Sequence, residues 1–170
     1  KVFPVPETWT TICADFPRLE TGNSAIIRLA MAQEELQCLD FEPPGRLWLR
    51  LGGLSAAVDG RVDRVRNLLQ QVDAGVKNEV LSGTEDAQAW NAAREFRWVP
   101  VNHQLIKLPI SSAQVVIAEQ LLAEASFESV RRYSVGGNVL WLAVPERVGG
   151  DEVDRLCQQL GRPALALAGS

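Results

Sequence analysis

The chemistry this sequence can do by residue type and spacing comes down to one indole and one guanidinium set four residues apart. In the segment Ala87-Gln88-Ala89-Trp90-Asn91-Ala92-Ala93-Arg94-Glu95-Phe96, a helix sets Trp90 and Arg94 on one face. There the two side chains can stack as a cation–π pair. They can also offer a flat wall and a fixed cation to an anionic ligand or a cofactor edge, because a guanidinium matches carboxylate geometry. Packing between neighbouring parts of the chain is the plainer use of the same two residues.

Other candidates carry less. His103 is the only histidine, so a triad or proton relay would rest on it. It falls in a loop before a strand, with no acid or nucleophile set beside it by sequence, and reads as a surface or linker residue. Cys13, Cys38 and Cys157 sit in apolar strands or on a helix face, where a thiol behaves as a small hydrophobe. They show no CxxC or Cys/His spacing, which argues against a metal site. Gly52-Gly53, Gly136-Gly137 and Gly149-Gly150 lie at strand ends and read as turns rather than phosphate cradles. No P-loop, GxGxxG, HExxH or GxSxG occurs. Glu34-Glu35 and Asp151-Glu152 read as solvated helix positions.

Composition narrows the class. With 46% hydrophobic and 22% charged residues over 170 positions, the chain is long enough to bury a core without disulfides or metal. A net charge of −4 argues against nucleic acid, whose phosphates call for clustered Lys and Arg. No apolar run approaches the roughly 18 residues of a membrane span. An odd number of scattered cysteines and no leader pattern predict a reduced, cytoplasmic setting. The start on Lys1 fits a fragment cut from a longer protein.

These residues need elements to position them. Residues 8–14 are rich in β-formers and run into a turn at Asp15-Phe16-Pro17. Ile26, Ile27, Leu29, Ala30 and Leu36 predict a helix over 23–37 with Asn23 as its cap. Residues 38–41 are a short strand stopped by Pro43-Pro44-Gly45. In 46–51, Leu47, Leu49 and Leu51 alternate with Arg46, Trp48 and Arg50, the period of a strand with one buried face. Ser55 caps a helix whose stripe is Val58, Val62, Val65, Leu68, Leu69 and Val72, and 77–81 is a strand. That order, β-α-β-β-α-β, is the split βαβ pattern of ferredoxin-like folds.

After a helix at 84–96 the order repeats. A strand at 104–110 leads to a helix at 112–125, then strands at 129–133 and 139–144 around the Gly136-Gly137-Asn138 hairpin. A helix at 151–160 and a strand at 164–168 close the chain. Leu47-Trp48-Leu49 recurs as Leu140-Trp141-Leu142, and Val62-Asp63-Arg64 as Val153-Asp154-Arg155, in the manner of a duplication. The expected architecture is α+β, with two ferredoxin-like halves whose antiparallel sheets are covered by helices. The expected boundaries are 1–83 and 98–170, joined by a linking helix at 84–97. Pairing of the two sheets edge to edge would hide exposed strands.

The same segments resemble the FAD-binding subunit of glycolate oxidase, in the vanillyl-alcohol-oxidase-like superfamily. The likeness runs through Leu47-Trp48-Leu49-Arg50-Leu51-Gly52-Gly53, Ser55-Ala56-Ala57-Val58, the Trp90-x-x-x-Arg94 helix and Leu105-Ile106-Lys107-Leu108-Pro109-Ile110-Ser111, in that order. Lys1-Val2-Phe3-Pro4-Val5-Pro6-Glu7 resembles the crossing from the flavin domain into the cap domain. The resemblance implies a cap, or substrate, domain, with FAD held mainly by an N-terminal domain absent from this chain. It implies Trp90 and Arg94 near the cofactor, and Arg94 with Lys107 near a substrate such as glycolate or another 2-hydroxy acid. No catalytic base and no metal ligand can be matched. The implied partners are the chain's own flavin domain, the small-molecule substrate and other oxidase subunits. A ligand-binding regulatory or interaction module of tandem ferredoxin-like units is the alternative, and a docking subunit of a larger complex a third.

Overall fold

The computed structural model describes residues 5–32 and 34–167. Lys1–Pro4 of the expected domain crossing, Gln33 of the first helix and Ala168 of the last strand lie outside the described residues.

Strand β1 (Thr8–Asp15) is followed by helix α1 (Leu19–Met31), β2 (Cys38–Glu42), β3 (Arg46–Gly53), α2 (Ser55–Val72) and β4 (Lys77–Ser82). Helix α3 (Gly83–Arg94) then leads to β5 (His103–Pro109), α4 (Val115–Glu124), β6 (Val130–Ser134), β7 (Val139–Pro145), α5 (Gly150–Leu160) and β8 (Leu165–Leu167). The strands form one eight-stranded sheet ordered β4-β1-β3-β2-β6-β7-β5-β8, antiparallel at every pairing. The first four strands and the last four carry the same ferredoxin-like order, run in opposite directions along the sheet. The halves meet at their second strands, where Phe41 pairs with Tyr133 and Gly136 N–H donates to Leu39 O at 2.9 Å.

Alternation in the strands decides which side becomes core. Ile12, Leu47, Leu49, Leu51, Phe41, Leu108, Leu140 and Leu142 point to one face and are almost fully buried. Val58, Val62, Val65 and Leu69 of α2 and Val153, Leu156 and Leu160 of α5 close over them. Each such side chain removed from water contributes about 1.5–3 kcal/mol. The repeated tripeptides occupy equivalent places: Trp48 on β3 and Trp141 on β7, Val62 on α2 and Val153 on α5.

Two expectations about the first helix are corrected. It starts four residues before Asn23, directly after the Pro17 turn; Asn23 is a buried residue of its inner side rather than its cap. It also ends at Met31 instead of reaching 37. Arg61 of α2 explains the early end, because its guanidinium gathers the Glu34 and Glu35 carbonyls at 2.5 and 3.0 Å. Glu34 and Glu35 are therefore loop residues, with Glu34 also accepting from Arg64. Ser55 opens α2 rather than capping it. Its N–H donates to the Glu7 carboxylate at 3.2 Å, so a residue 48 positions away fills the cap's role.

Candidate functional site

Helices α1, α2, α4 and α5 all take the Ile12/Leu49 side of the sheet, and the opposite face is left to α3 and the chain that follows it. Residues of this second face sit in rows fixed by strand register. Thr11 pairs with Arg50, Cys13 with Trp48 and Asp15 with Arg46; Asp40 pairs with Trp48. In the second half Lys107 and Arg132 both pair with Trp141. One row thus runs Cys13–Trp48–Asp40, crosses the seam through an Arg132–Asp40 ion pair of 2.9 Å, and continues Arg132–Trp141–Lys107.

Aromatic rings and cations alternate across this face. The Arg50 guanidinium lies 4.4 Å from the Trp9 ring centre and 5.8 Å from that of Trp90. Arg132 lies 5.8 Å from Trp90 and 5.5 Å from Trp48, and Arg46 lies 4.8 Å from Trp48. The result is a ladder, Trp9–Arg50–Trp90–Arg132–Trp48–Arg46, each contact within cation–π range. Each guanidinium is also neutralised: Arg50 by Asp86, Arg132 by Asp40 and Glu42, and Arg46 by Asp15 and Glu79. Burial pushes the Asp40 carboxyl above its usual range, with Arg132 opposing the rise.

Trp90 is the best-anchored member. Its indole N–H donates to Thr11 Oγ1 at 2.6 Å, and the Thr11 hydroxyl donates to Asp86 Oδ1 at 2.6 Å. Asp86 is 1% exposed and is gripped bidentately by Arg50 at 3.2 and 2.5 Å. Beyond α3, Phe96 stands edge-on to Trp141 with ring centres 4.9 Å apart, and Trp98 flanks Phe96 at 6.3 Å. All five tryptophans of the chain therefore gather, half-buried, on the side of the sheet that the four covering helices leave to α3 and the chain after it.

The residues singled out from sequence reach this side by different routes. Trp90 takes its cations from Arg50 and Arg132 rather than from Arg94. Arg94 is exposed and donates to Asn91 Oδ1 at 3.1 Å. Lys107 stands 5.2 Å from the Trp141 ring centre and, among the described residues, has no ion-pair partner. His103 opens β5 instead of lying in a loop; its Nδ1 is 3.1 Å from Val101 O, so that nitrogen donates to the carbonyl. It borders a cavity of about 720 Å³ beside Phe127 and Ser129, at the strand ends and away from the tryptophans. Burial pushes the Cys13 thiol up to about 11 and raises Cys38 and Cys157 as well, which suits inert thiols. Among the described residues no cluster of three or more His, Cys, Asp or Glu side chains is placed to hold a metal, and no helix is long and apolar enough to cross a membrane.

Thr11, Asp86, Trp9 and Arg132 are absent from the sequence reading. Only the outward set Arg46, Trp48 and Arg50 on β3 hinted at them, as a charged and aromatic strand face with nothing to say what covers it.

No family model matches this chain, and no curated protein does. Among solved structures it is similar to the 4-ethylphenol oxidase from Gulosibacter chungangensis in its isoeugenol complex, with a TM-score of 0.58 and 13% identity. The similarity covers 95% of this chain and 46% of that one. At that identity the likeness is one of fold, and the chain spans about half the length of the oxidase chain whose fold it shares.

Proposed function

We propose that this chain is the substrate-side domain of an FAD-dependent oxidoreductase, with its tryptophan-bearing sheet face turned toward a flavin held mainly by another domain. The observation that carries the reading is the second sheet face, where all five tryptophans collect half-buried beside α3 and the chain after it. Half-buried aromatic rings interleaved with cations are of the kind that line a ligand site. A fold shared with about half of an oxidase supports the same reading.

The residues present suit the flat end of FAD and not its pyrophosphate. Indole faces at Trp90, Trp48 and Trp141 match a planar ring. The guanidiniums beside them are already paired with carboxylates, and no glycine-rich phosphate loop occurs. The chemistry FAD supplies when bound is acceptance of a hydride from a substrate carbon. This chain's part is to wall the site, exclude water and hold the substrate. Trp90 provides the flat wall. Arg94 and Lys107, the sequence-selected cations free of carboxylate partners among the described residues, receive the carboxylate of a 2-hydroxy acid such as glycolate.

The test is to produce the protein from its complete reading frame and follow flavin absorbance on adding 2-hydroxy acids or neutral aromatic alcohols. A flavin that bleaches with a 2-hydroxy acid, and less readily in Arg94→Ala, supports both the domain and the substrate. Bleaching only with neutral alcohols keeps the domain and removes the roles of Arg94 and Lys107. A protein that binds no flavin sinks the reading and leaves the ligand-binding or interaction module in its place.

A further inference from the structure

The hydrogen bonds behind Trp90 run in one direction only. A carboxylate accepts and does not donate, and an indole N–H donates and does not accept. Thr11 must therefore donate to Asp86 and accept from Trp90, so the buried hydroxyl, 0% exposed, has no freedom to turn. The Asp86 carboxylate cannot turn either, since Arg50 holds both its oxygens. Arg50 and Arg132 sit at equal distances of 5.8 Å from the Trp90 ring centre, one from each half of the sheet. The indole is thus held at its nitrogen through a hydroxyl and over its ring by two cations that are themselves held by acids.

Packing alone does not call for this. Burying an ionised carboxylate is expensive, and apolar replacements of buried ion pairs are often as stable. What the network adds over an apolar contact is a fixed ring plane. We propose that Asp86, acting through Thr11, is a positioning residue that sets the plane of Trp90 for the ligand it walls. This rests on the reading that Trp90 faces the flavin–substrate site. Asp86 touches no ligand in this scheme; Thr11 passes its hold to the indole.

The experiment uses the protein from the complete reading frame, in wild type and in Thr11→Val, Thr11→Ser and Trp90→Phe. Valine keeps the shape of threonine and removes the hydroxyl, serine keeps the hydroxyl, and phenylalanine keeps a ring and removes the N–H. Turnover is normalised to bound flavin, and the exchange of the Trp90 indole proton is followed by NMR. The expected result is a fall in kcat/KM of about tenfold to a hundredfold in Thr11→Val. Trp90→Phe should match it, the double variant should fall no further, and Thr11→Ser should retain wild-type turnover. Indole exchange should speed up in Thr11→Val and not in Thr11→Ser.

Wild-type turnover per flavin in Thr11→Val, with faster indole exchange, overturns the proposal while leaving the flavin reading intact. So does equal loss in Thr11→Ser and Thr11→Val, which marks a packing role. A wild-type protein without flavin removes the reading itself and the proposal with it, a different outcome from either of those.

Discussion

Trp48 and Trp141 occupy the same position in the two halves and differ in the partner of the indole N–H, which the same substitution at each can measure. Trp141 Nε1 donates to Ser134 Oγ at 2.8 Å, whereas Trp48 Nε1 is buried with no partner among the described residues. Trp→Phe removes the same atoms at each site, and both rings lie under a cation, Lys107 at 5.2 Å and Arg46 at 4.8 Å. Trp48 has Arg132 at 5.5 Å as a further contact and Trp141 has Phe96 edge-on at 4.9 Å, so the packing and cation–π losses largely offset in the comparison. What remains is the polar balance. At Trp141 the change forfeits a hydrogen bond worth about 0.5–1.5 kcal/mol, and at Trp48 it removes an unsatisfied donor whose burial costs about 1–3 kcal/mol.

Trp141→Phe is accordingly expected to be the more destabilising by about 3 kcal/mol, a difference in Tm of about 6–12 °C for a chain of this length. Thermal unfolding of the two variants, followed by circular dichroism and checked by urea titration, reads this directly. A Trp48→Phe variant as costly as Trp141→Phe, or costlier, refutes the reasoning. It would mean that the Trp48 N–H has a partner, such as an ordered water, or that the two ring environments are not equivalent.

On the helix-covered side, Tyr133 is buried and its hydroxyl donates to Glu119 Oε1 at 2.7 Å, with Arg131 gripping the same carboxylate; Tyr133→Phe should cost about 1.5–3 kcal/mol in urea unfolding, as for a hydrogen bond to a charged group. Gly45→Ala should destabilise strongly, because a Cβ there falls 2.1 Å from the Phe16 carbonyl oxygen, while Gly60→Ala inside α2 meets nothing nearer than 3.8 Å and should stabilise by about 0.5–1 kcal/mol. Cys13 is neutral in the folded chain up to about pH 11, against 9.0 for the free thiol. The unfolded chain ionises first, so this thiol's contribution is intact below pH 9.0 and declines as pH rises toward 11. Unfolding free energies at pH 8 and pH 10.5 should show that decline, and Cys13→Ala should lessen it.

Local patterns carried most of the architecture. The alternation at 46–51 and the stripe on α2 are repeating local signals, and the strands and helices they predict form where expected. The doubled β-α-β-β-α-β order resolves into two halves of one sheet with Trp48 and Trp141 at matched places. Failures fell where a distant partner intervenes. Nothing near residue 34 says that α1 stops at Met31, because Arg61, 27 residues away, takes the Glu34 carbonyl. Nothing near Ser55 says that Glu7 will fill its cap.

The site divides in the same way. Spacing marked Trp90 and Arg94 as neighbours on a helix, and on that local ground they are. Which guanidinium covers Trp90 is a tertiary matter: Thr11 is 79 residues from it and Asp40 is 92 from Arg132. Asp86 lies one turn before Trp90 and looks in sequence like any acid in the first turn of a helix, favourable there for the dipole alone. Its burial depends on Arg50 arriving from β3.

Helix α3 is placed by both local and distant residues. A ferredoxin-like half needs only two helices on one face, and each half here has them; α3 is additional, and it lies on the other side. The halves share a short seam, one strand pair at Phe41 and Tyr133, so strand pairing alone constrains their relative angle weakly. Trp90 meets Arg50 from the first half and Arg132 from the second, and Arg132 is in turn ion-paired to Asp40 and Glu42 across the seam. The charged ladder therefore ties both halves of the sheet and the extra helix into one setting. Geometry on this face is governed by residues spread over β1, β2, β3, α3 and β6, and a substitution in any of them reaches the Trp90 ring through this network.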